Sequence, residues 1–308
     1  MNILILGAGG MLGHDLVDVF SVEHNVTAWK RDDLDITDKD VVADKIKSQS
    51  PEVIINATAY TNVDACEEQE ALAAQVNGEA VGFLAKAAKS AGAKFVHFST
   101  DYVFGGKKKE GYLEDDKPNP ISAYGRSKLA GESVILSIAK RSEKSRQNSG
   151  NPFHQDSGQA AAFQDGGLQY YIIRTSWLYG HHGKNFVETM LALADKGGPI
   201  RVVDDQIGSP TYAADVARAT LDLVESNQLA GIYHRTNSGS CSWYEFAKEI
   251  FSVFGKEVDL SPCTTKDFPR PAMRPQYSVL KTTKLPVLRP WQDALGDYQK
   301  TDPGSSPR

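Results

Sequence analysis

Tyr124 and Lys128 stand four residues apart in the stretch Tyr124-Gly125-Arg126-Ser127-Lys128. On a helix that spacing puts both side chains on one face, a turn apart. A tyrosine with its ordinary pKa of ~10 is a poor proton donor at neutral pH. A lysine ammonium beside it favours the phenolate and lowers that pKa, so the pair can trade a proton with a carbonyl oxygen or alkoxide near neutrality. Upstream, Thr100 in Thr100-Asp101-Tyr102 offers a hydroxyl to the same oxygen. Alone, Tyr-x-x-x-Lys is more often an ordinary surface helix pair. The elements that precede it change that weighting.

Residues 3–6 form a continuous apolar run, as a parallel strand buried on both faces requires, and end in Gly7-Ala8-Gly9-Gly10-Met11-Leu12-Gly13. Residues 14–20 then carry helical spacing through Leu16, Val17, Val19 and Phe20. Strand, glycine turn and helix is the setting a dinucleotide needs: N–H groups at the helix start hold a pyrophosphate, and glycines let it come close. The alternative, a tight turn with no ligand, carries less weight at this position. Residues 25–29 read as the second strand, followed by Lys30 and Arg31 and then by Asp32, Asp33 and Asp35. An acid here suits the ribose 2′-hydroxyl of NAD and a base the 2′-phosphate of NADP, so position alone leaves that choice open. Residues 53–57 are a third buried strand leading into Thr58-Ala59-Tyr60-Thr61-Asn62-Val63-Asp64, residues 72–91 an alanine-rich amphipathic helix, and residues 94–99 a strand ending at Thr100 and Asp101. The glycine loop, Thr61, Thr100 and the Tyr124 helix thus converge on the C-terminal edge of one sheet, where open α/β sheets bind ligands. His97, inside a strand, reads as a core histidine rather than a catalytic one.

The Tyr124 helix is expected to end near residue 140. Residues 141–168 are rich in Ser, Gln, Asn and Gly and read as a flexible insertion on the face away from the site. Further strands are expected over 170–175, 200–203 and 231–234, with helices over 185–194, 212–225, from the capping Ser242 to 255, and 291–298. The tail from 300 reads as disordered. The 308 residues suffice for a full core, and 41% hydrophobic with 24% charged content is ordinary for a globular protein. A net charge of −5 argues against nucleic-acid binding. Cys66, Cys241 and Cys263 show neither metal nor disulfide spacing, which suits a reducing compartment. With no signal peptide or membrane-length apolar run, the expected location is cytoplasmic.

With these residues in place, the chain resembles the dTDP-4-dehydrorhamnose reductase family of the extended short-chain dehydrogenase/reductase superfamily. The likeness rests on Gly7 to Gly13, Leu34-Asp35-Ile36-Thr37, Ala59 to Asp64, Ser99-Thr100-Asp101-Tyr102-Val103-Phe104, Tyr124 with Lys128, Gly131 and Glu132, and Arg174-Thr175-Ser176-Trp177. Asn185-Phe186, Asp205-Gln206-x-Gly208-x-Pro210-Thr211 and Arg274-Pro275 extend it over almost the whole chain. The expected fold is α/β, a Rossmann-type doubly wound parallel sheet with a smaller, mainly C-terminal substrate-binding domain. Residues 1–176 and 207–236 would form the NAD(P)-binding part, and 177–206 with 237–299 the substrate part.

The resemblance implies NAD(P)H-dependent reduction of the 4-keto group of dTDP-4-dehydro-β-L-rhamnose to dTDP-L-rhamnose. It implies Tyr124 as proton donor, Lys128 on the nicotinamide ribose and Thr100 as hydrogen-bond donor. Gly7, Gly10, Met11, Leu12 and Gly13 would hold the pyrophosphate, Asp35 and Ile36 flank the adenine, and Ala59, Tyr60 and Thr61 line the cofactor path. Lys30 and Arg31 favour NADPH, with NADH as the alternative. Thr100, Asp101 and Trp177 would meet the sugar, with Asn185, Gln206 and Arg274 around the nucleotide. Some members bind magnesium through C-terminal glutamates at a dimer interface. Here Gln292 and Asp293 stand in the last helix, so no metal is carried over and a homodimer stays open. Two alternatives stand beside this reading: a related nucleotide-sugar 4-ketoreductase, and a non-catalytic NADP-binding regulatory subunit of a methionine adenosyltransferase.

Overall fold

The computed structural model describes residues 1–148, 167–226 and 228–301, with the backbone alone over 142–148. Strand β1 (Asn2–Leu6) passes through the glycine turn into helix α1 (Met11–Phe20), followed by β2 (Asn25–Trp29), α2 (Lys39–Gln49) and β3 (Val53–Asn56). Next come α3 (Val63–Glu68), α4 (Glu70–Ala74), a π-helical turn (Gln75–Glu79), α5 (Ala80–Ala91) and β4 (Lys94–Thr100). The single helix expected over 72–91 is therefore interrupted by a wider turn, which bears on the site. Helix α6 (Ala123–Asn148) carries Tyr124 and runs past residue 140, longer than its sequence suggests, and β5 (Tyr170–Thr175) follows. Most of the insertion expected over 141–168 lies outside the described residues.

The chain continues through β6 (Leu178–Tyr179), α7 (Phe186–Lys196), β7 (Ile200–Val203), β8 (Ile207–Gly208), β9 (Thr211–Tyr212) and α8 (Ala213–Glu225). It closes with β10 (Gly231–His234), β11 (Cys241–Ser242), α9 (Trp243–Val253), β12 (Leu260–Cys263) and α10 (Trp291–Thr301). The last helix includes Lys300 and Thr301, which were expected in the tail; residues 302–308 lie outside the described residues.

Six strands form one parallel sheet in the order β10-β5-β4-β3-β1-β2. Both faces are covered, which is why the inner strands are apolar without alternation. Leu4, Ile54, Phe95 and Ile172 pack under Ile46 of α2, Leu84 of α5 and Ile135 of α6. Ile5, Ile55, Val96 and Ile173 pack against Leu16 of α1 and Val216 of α8. A third apolar cluster joins Val187 of α7, Phe246 and Ile250 of α9 and Leu295 of α10, away from the sheet. The strand order reverses between β1 and β3, so their C-terminal ends open the crevice where such sheets take ligands. Among the described residues no helix is long and apolar enough to cross a membrane.

Candidate active site

The crevice floor is the turn after β1. Gly7 has φ +79°, and a Cβ there would lie 2.9 Å from the Ala57 backbone at the end of β3. A Cβ on Gly13 would lie 2.1 Å from the Gly7 carbonyl oxygen, so α1 can start this close to β1 only without side chains. Gly10 precedes α1 in extended conformation and supplies no side-chain cap, leaving the N–H groups of the first turn around Met11 and Leu12 for another acceptor. This cradle fits a dinucleotide pyrophosphate. The Lys30 stem runs along the loop, 3.5 Å from where a Gly9 Cβ would stand. Arg31 beside it is exposed. Asp35 accepts from the Thr37 N–H and hydroxyl at 2.9 and 2.7 Å, which holds its carboxyl below the usual range, and Ile36 is buried.

Opposite the glycine turn, the chain after β3 brings Ala59, Tyr60 and Thr61 past the crevice. Asn77, buried in the π-helical turn, accepts from the Tyr60 N–H at 2.8 Å and donates to the Tyr60 carbonyl and to Ser127 Oγ, both at 3.0 Å. It thereby ties this path to α6, one turn from Tyr124. Sequence periodicity gave no signal for Asn77, because it reads as one polar position in a helix.

Thr100 ends β4 beside α6, and its hydroxyl neighbours the Tyr124 phenol and partly offsets the effect of burial on it. Its Oγ donates to Asp101 at 3.0 Å and accepts from the Tyr102 N–H at 3.2 Å. Tyr102 lies edge-on to Tyr124, ring centroids 5.7 Å apart. Burial pushes the Asp101 carboxyl up to about 6, partly offset by the Ser278 and Thr100 hydroxyls. Burial and the neighbouring Asp101 push the Tyr124 phenol up, not down. The expected lowering by Lys128 is not what this geometry does. Lys128 Nζ donates instead to the Phe98 carbonyl at 2.6 Å and lies 3.5 Å from His97 Nε2. Its own burial, opposed by Glu132, brings it down to about 8.

The residues expected around the sugar nucleotide are dispersed. Trp177 has φ +47°, and its indole stacks on Trp243 at 3.5 Å, with Gly208 so close that a Cβ would meet the ring at 2.4 Å. Asn185 caps α7, accepting from the Glu188 N–H at 3.1 Å and donating to the Gly180 carbonyl at 2.8 Å. Gln206 is buried and donates to Thr265 at 2.9 Å. Arg274 pairs with Asp64 at 3.0 Å, as does Arg270 at 2.7 Å. Thus Thr100, Asp101 and Tyr124 lie together with Lys128 one turn further along α6, while Asn185, Gln206 and Arg274 are held by separate local partners.

A parallel sheet with a glycine cradle at its switch point and a Tyr-x-x-x-Lys helix beside the end of β4 defines a Rossmann-fold reductase of the short-chain dehydrogenase/reductase class. The chain belongs to the RmlD substrate binding domain family, whose model matches residues 1–145 and 158–302. It is 38% identical over 302 residues to the spore coat polysaccharide biosynthesis protein SpsK of Bacillus subtilis (strain 168), covering 96% of each chain. It is 38% identical over 305 residues to the dTDP-4-dehydrorhamnose reductase of Mycolicibacterium smegmatis, covering 96% of this chain and 84% of that one. The crystal structure of dTDP-4-dehydrorhamnose reductase from Bacillus anthracis str. Ames in complex with NADP superposes with a TM-score of 0.85 at 36% identity, covering 96% of this chain and 98% of that one.

Proposed function

We propose that this chain reduces the 4-keto group of dTDP-4-dehydro-β-L-rhamnose to dTDP-L-rhamnose in the cytoplasm, using NADPH. The observation that carries the reading is the grouping of Thr100, Asp101 and Tyr124 at the C-terminal end of β4, in a chain of this family. The bound nicotinamide would supply the hydride. As charge grows on the carbonyl oxygen, Tyr124 gives it a proton and Thr100 donates a hydrogen bond. Burial keeps the phenol protonated at neutral pH, so Tyr124 carries the proton that the growing negative charge on the oxygen draws off. Lys128, fixed by the Phe98 carbonyl, faces the nicotinamide ribose, while Met11, Leu12 and the glycines meet the pyrophosphate and Lys30 and Arg31 the 2′-phosphate.

In this reading residues 1–176 and 207–236 hold the cofactor, and 177–206 with 237–299 the sugar nucleotide, Trp177 and Asp101 at the sugar and Arg274 at the nucleotide. The assay is NADPH oxidation with enzymatically made dTDP-4-dehydrorhamnose beside its UDP and GDP counterparts. Turnover confined to the dTDP sugar supports the reading, and no turnover with any of the three rejects it. The three cysteines are buried and unpaired, as suits the reducing cytoplasm.

A further inference from the structure

His97 sits at the centre of β4, fully buried, with Phe95 stacked on its ring at 6.3 Å. Its sequence position marks it as core, yet both ring nitrogens meet polar partners that lead to the active centre. On one side, Nδ1 lies 3.1 Å from Asn56 Nδ2. The Asn56 amide cannot turn over freely, because its Oδ1 accepts from the Thr58 N–H at 3.1 Å and from the Thr58 hydroxyl at 2.6 Å. The amide nitrogen must therefore face the ring, and Nδ1 must accept. A neutral imidazole has one donor and one acceptor nitrogen, so the proton is on Nε2. Burial and the nearby lysine do keep the ring neutral, well below its ordinary range.

On the other side, Nε2 lies 3.5 Å from Lys128 Nζ. An N–H aimed at an ammonium is unfavourable. Aimed at a neutral amine it is a hydrogen bond, and the amine can still donate to the Phe98 carbonyl. The other charged group near Nζ is Glu132 on the same helix, which favours the ammonium but is itself tied to Arg174 of β5 and Ser99 of β4. Asp101, at the end of β4, faces Tyr124. We propose that His97 is a positioning residue of the reduction: with its proton fixed on Nε2 through Thr58 and Asn56, it seats Lys128 Nζ and disfavours the ammonium against the neutral amine. Lys128 then loses its charge at a lower pH than a solvated lysine would. The relay begins at the half-buried Thr58, next to the cofactor path at Ala59, so occupancy of that path and the charge of Lys128 are linked through Thr58 and the buried Asn56 and His97.

The role in turnover rests on the reductase reading, but the geometry can be tested without substrate. In the full-length wild type labelled with 15N, the His97 ring shifts, assigned through its backbone resonances, are expected to show the proton on Nε2; a proton on Nδ1 overturns the proposal. The Nζ titration of Lys128 is then compared with that in His97→Gln. The glutamine amide can turn its carbonyl to the ammonium, so the titration should move up by about one pH unit. An unmoved titration in a folded variant also overturns it. If the variant does not fold, the wild-type tautomer decides alone. With turnover in hand, the alkaline limb of the kcat profile should move upward with the titration, whereas a uniform loss at every pH would mark a merely structural histidine. Absence of turnover in the wild type would reject the reductase reading and leave the tautomer and titration results standing.

Discussion

Two buried cations, Arg174 and Lys128, share Glu132 as a charged neighbour and are treated oppositely. Arg174 on β5 is 1% exposed and forks onto Glu132 at 2.9 and 2.6 Å, with the Phe104 ring 5.0 Å from its guanidinium. Lys128, one turn before Glu132 on α6, is 2% exposed and has no ion pair with a carboxylate among the described residues, only a carbonyl and an imidazole. A guanidinium keeps its charge, and a bidentate carboxylate compensates its desolvation. A desolvated ammonium without such a partner becomes easy to discharge. The Arg174 region is therefore a lock and the Lys128 region a responsive site, although both belong to the same helix–sheet seam.

The widest separation between the two should appear in turnover. Tyr124→Phe removes one hydroxyl and should lower kcat by ~10²–10⁴ with melting temperature and NADPH affinity nearly unchanged. Lys128→Met should lose at least as much, with weaker NADPH binding. Turnover near wild type in Tyr124→Phe would remove the chemical distinction altogether.

In stability the lock should dominate. Glu132→Gln leaves Arg174 buried against a neutral amide, and breaking a buried pair in this way costs about 3–5 kcal/mol, read by urea denaturation. Lys128→Met should have the opposite sign. Folded Lys128 holds its proton only up to about pH 8, against 10.5 in the reference state. Between those values the unfolded chain binds more protons, so stability rises with pH there and the full cost is present at pH 7. Replacing the lysine should therefore raise the melting temperature at pH 7, with a gain that shrinks as pH passes from 8 to 10.5. A drop at pH 7 would mean that the Phe98 and His97 contacts outweigh desolvation.

The lock should also respond to acid through His234, whose Nε2 lies 3.4 Å from Arg174 Nη1. Burial and Arg174 push this histidine from 6.5 down to about 4. Unfolded chains take up the proton first, so stability falls as pH drops through that window. The melting temperature of the wild type should decline more steeply there than that of His234→Gln. Parallel curves would exclude His234 as the acid-sensitive element. The smallest expected effect is Thr100→Val, which removes one hydrogen bond from the developing oxyanion while leaving the proton source. About 1–1.5 kcal/mol corresponds to roughly tenfold in kcat.

The sequence by itself determined what depends on near neighbours along the chain. The apolar strands, the glycine turn into α1, the one-turn spacing of Tyr124 and Lys128, the placing of Thr100 at a strand end and the Ser242 cap of α9 are all local patterns, set by backbone sterics and helical or strand period. Tertiary structure decided where long-range packing chooses among partners. It broke the helix around Asn77 to tie Tyr60 to Ser127, gave Glu132 to Arg174 rather than to Lys128, and set Trp243 against Trp177. It also turned a core histidine toward the active-site lysine and raised the Tyr124 phenol where the spacing of charges alone foretold a lowering. The physical reason is desolvation: a proton affinity depends on which groups surround a side chain in three dimensions and on how much water they exclude, and neither is a property of spacing along the chain.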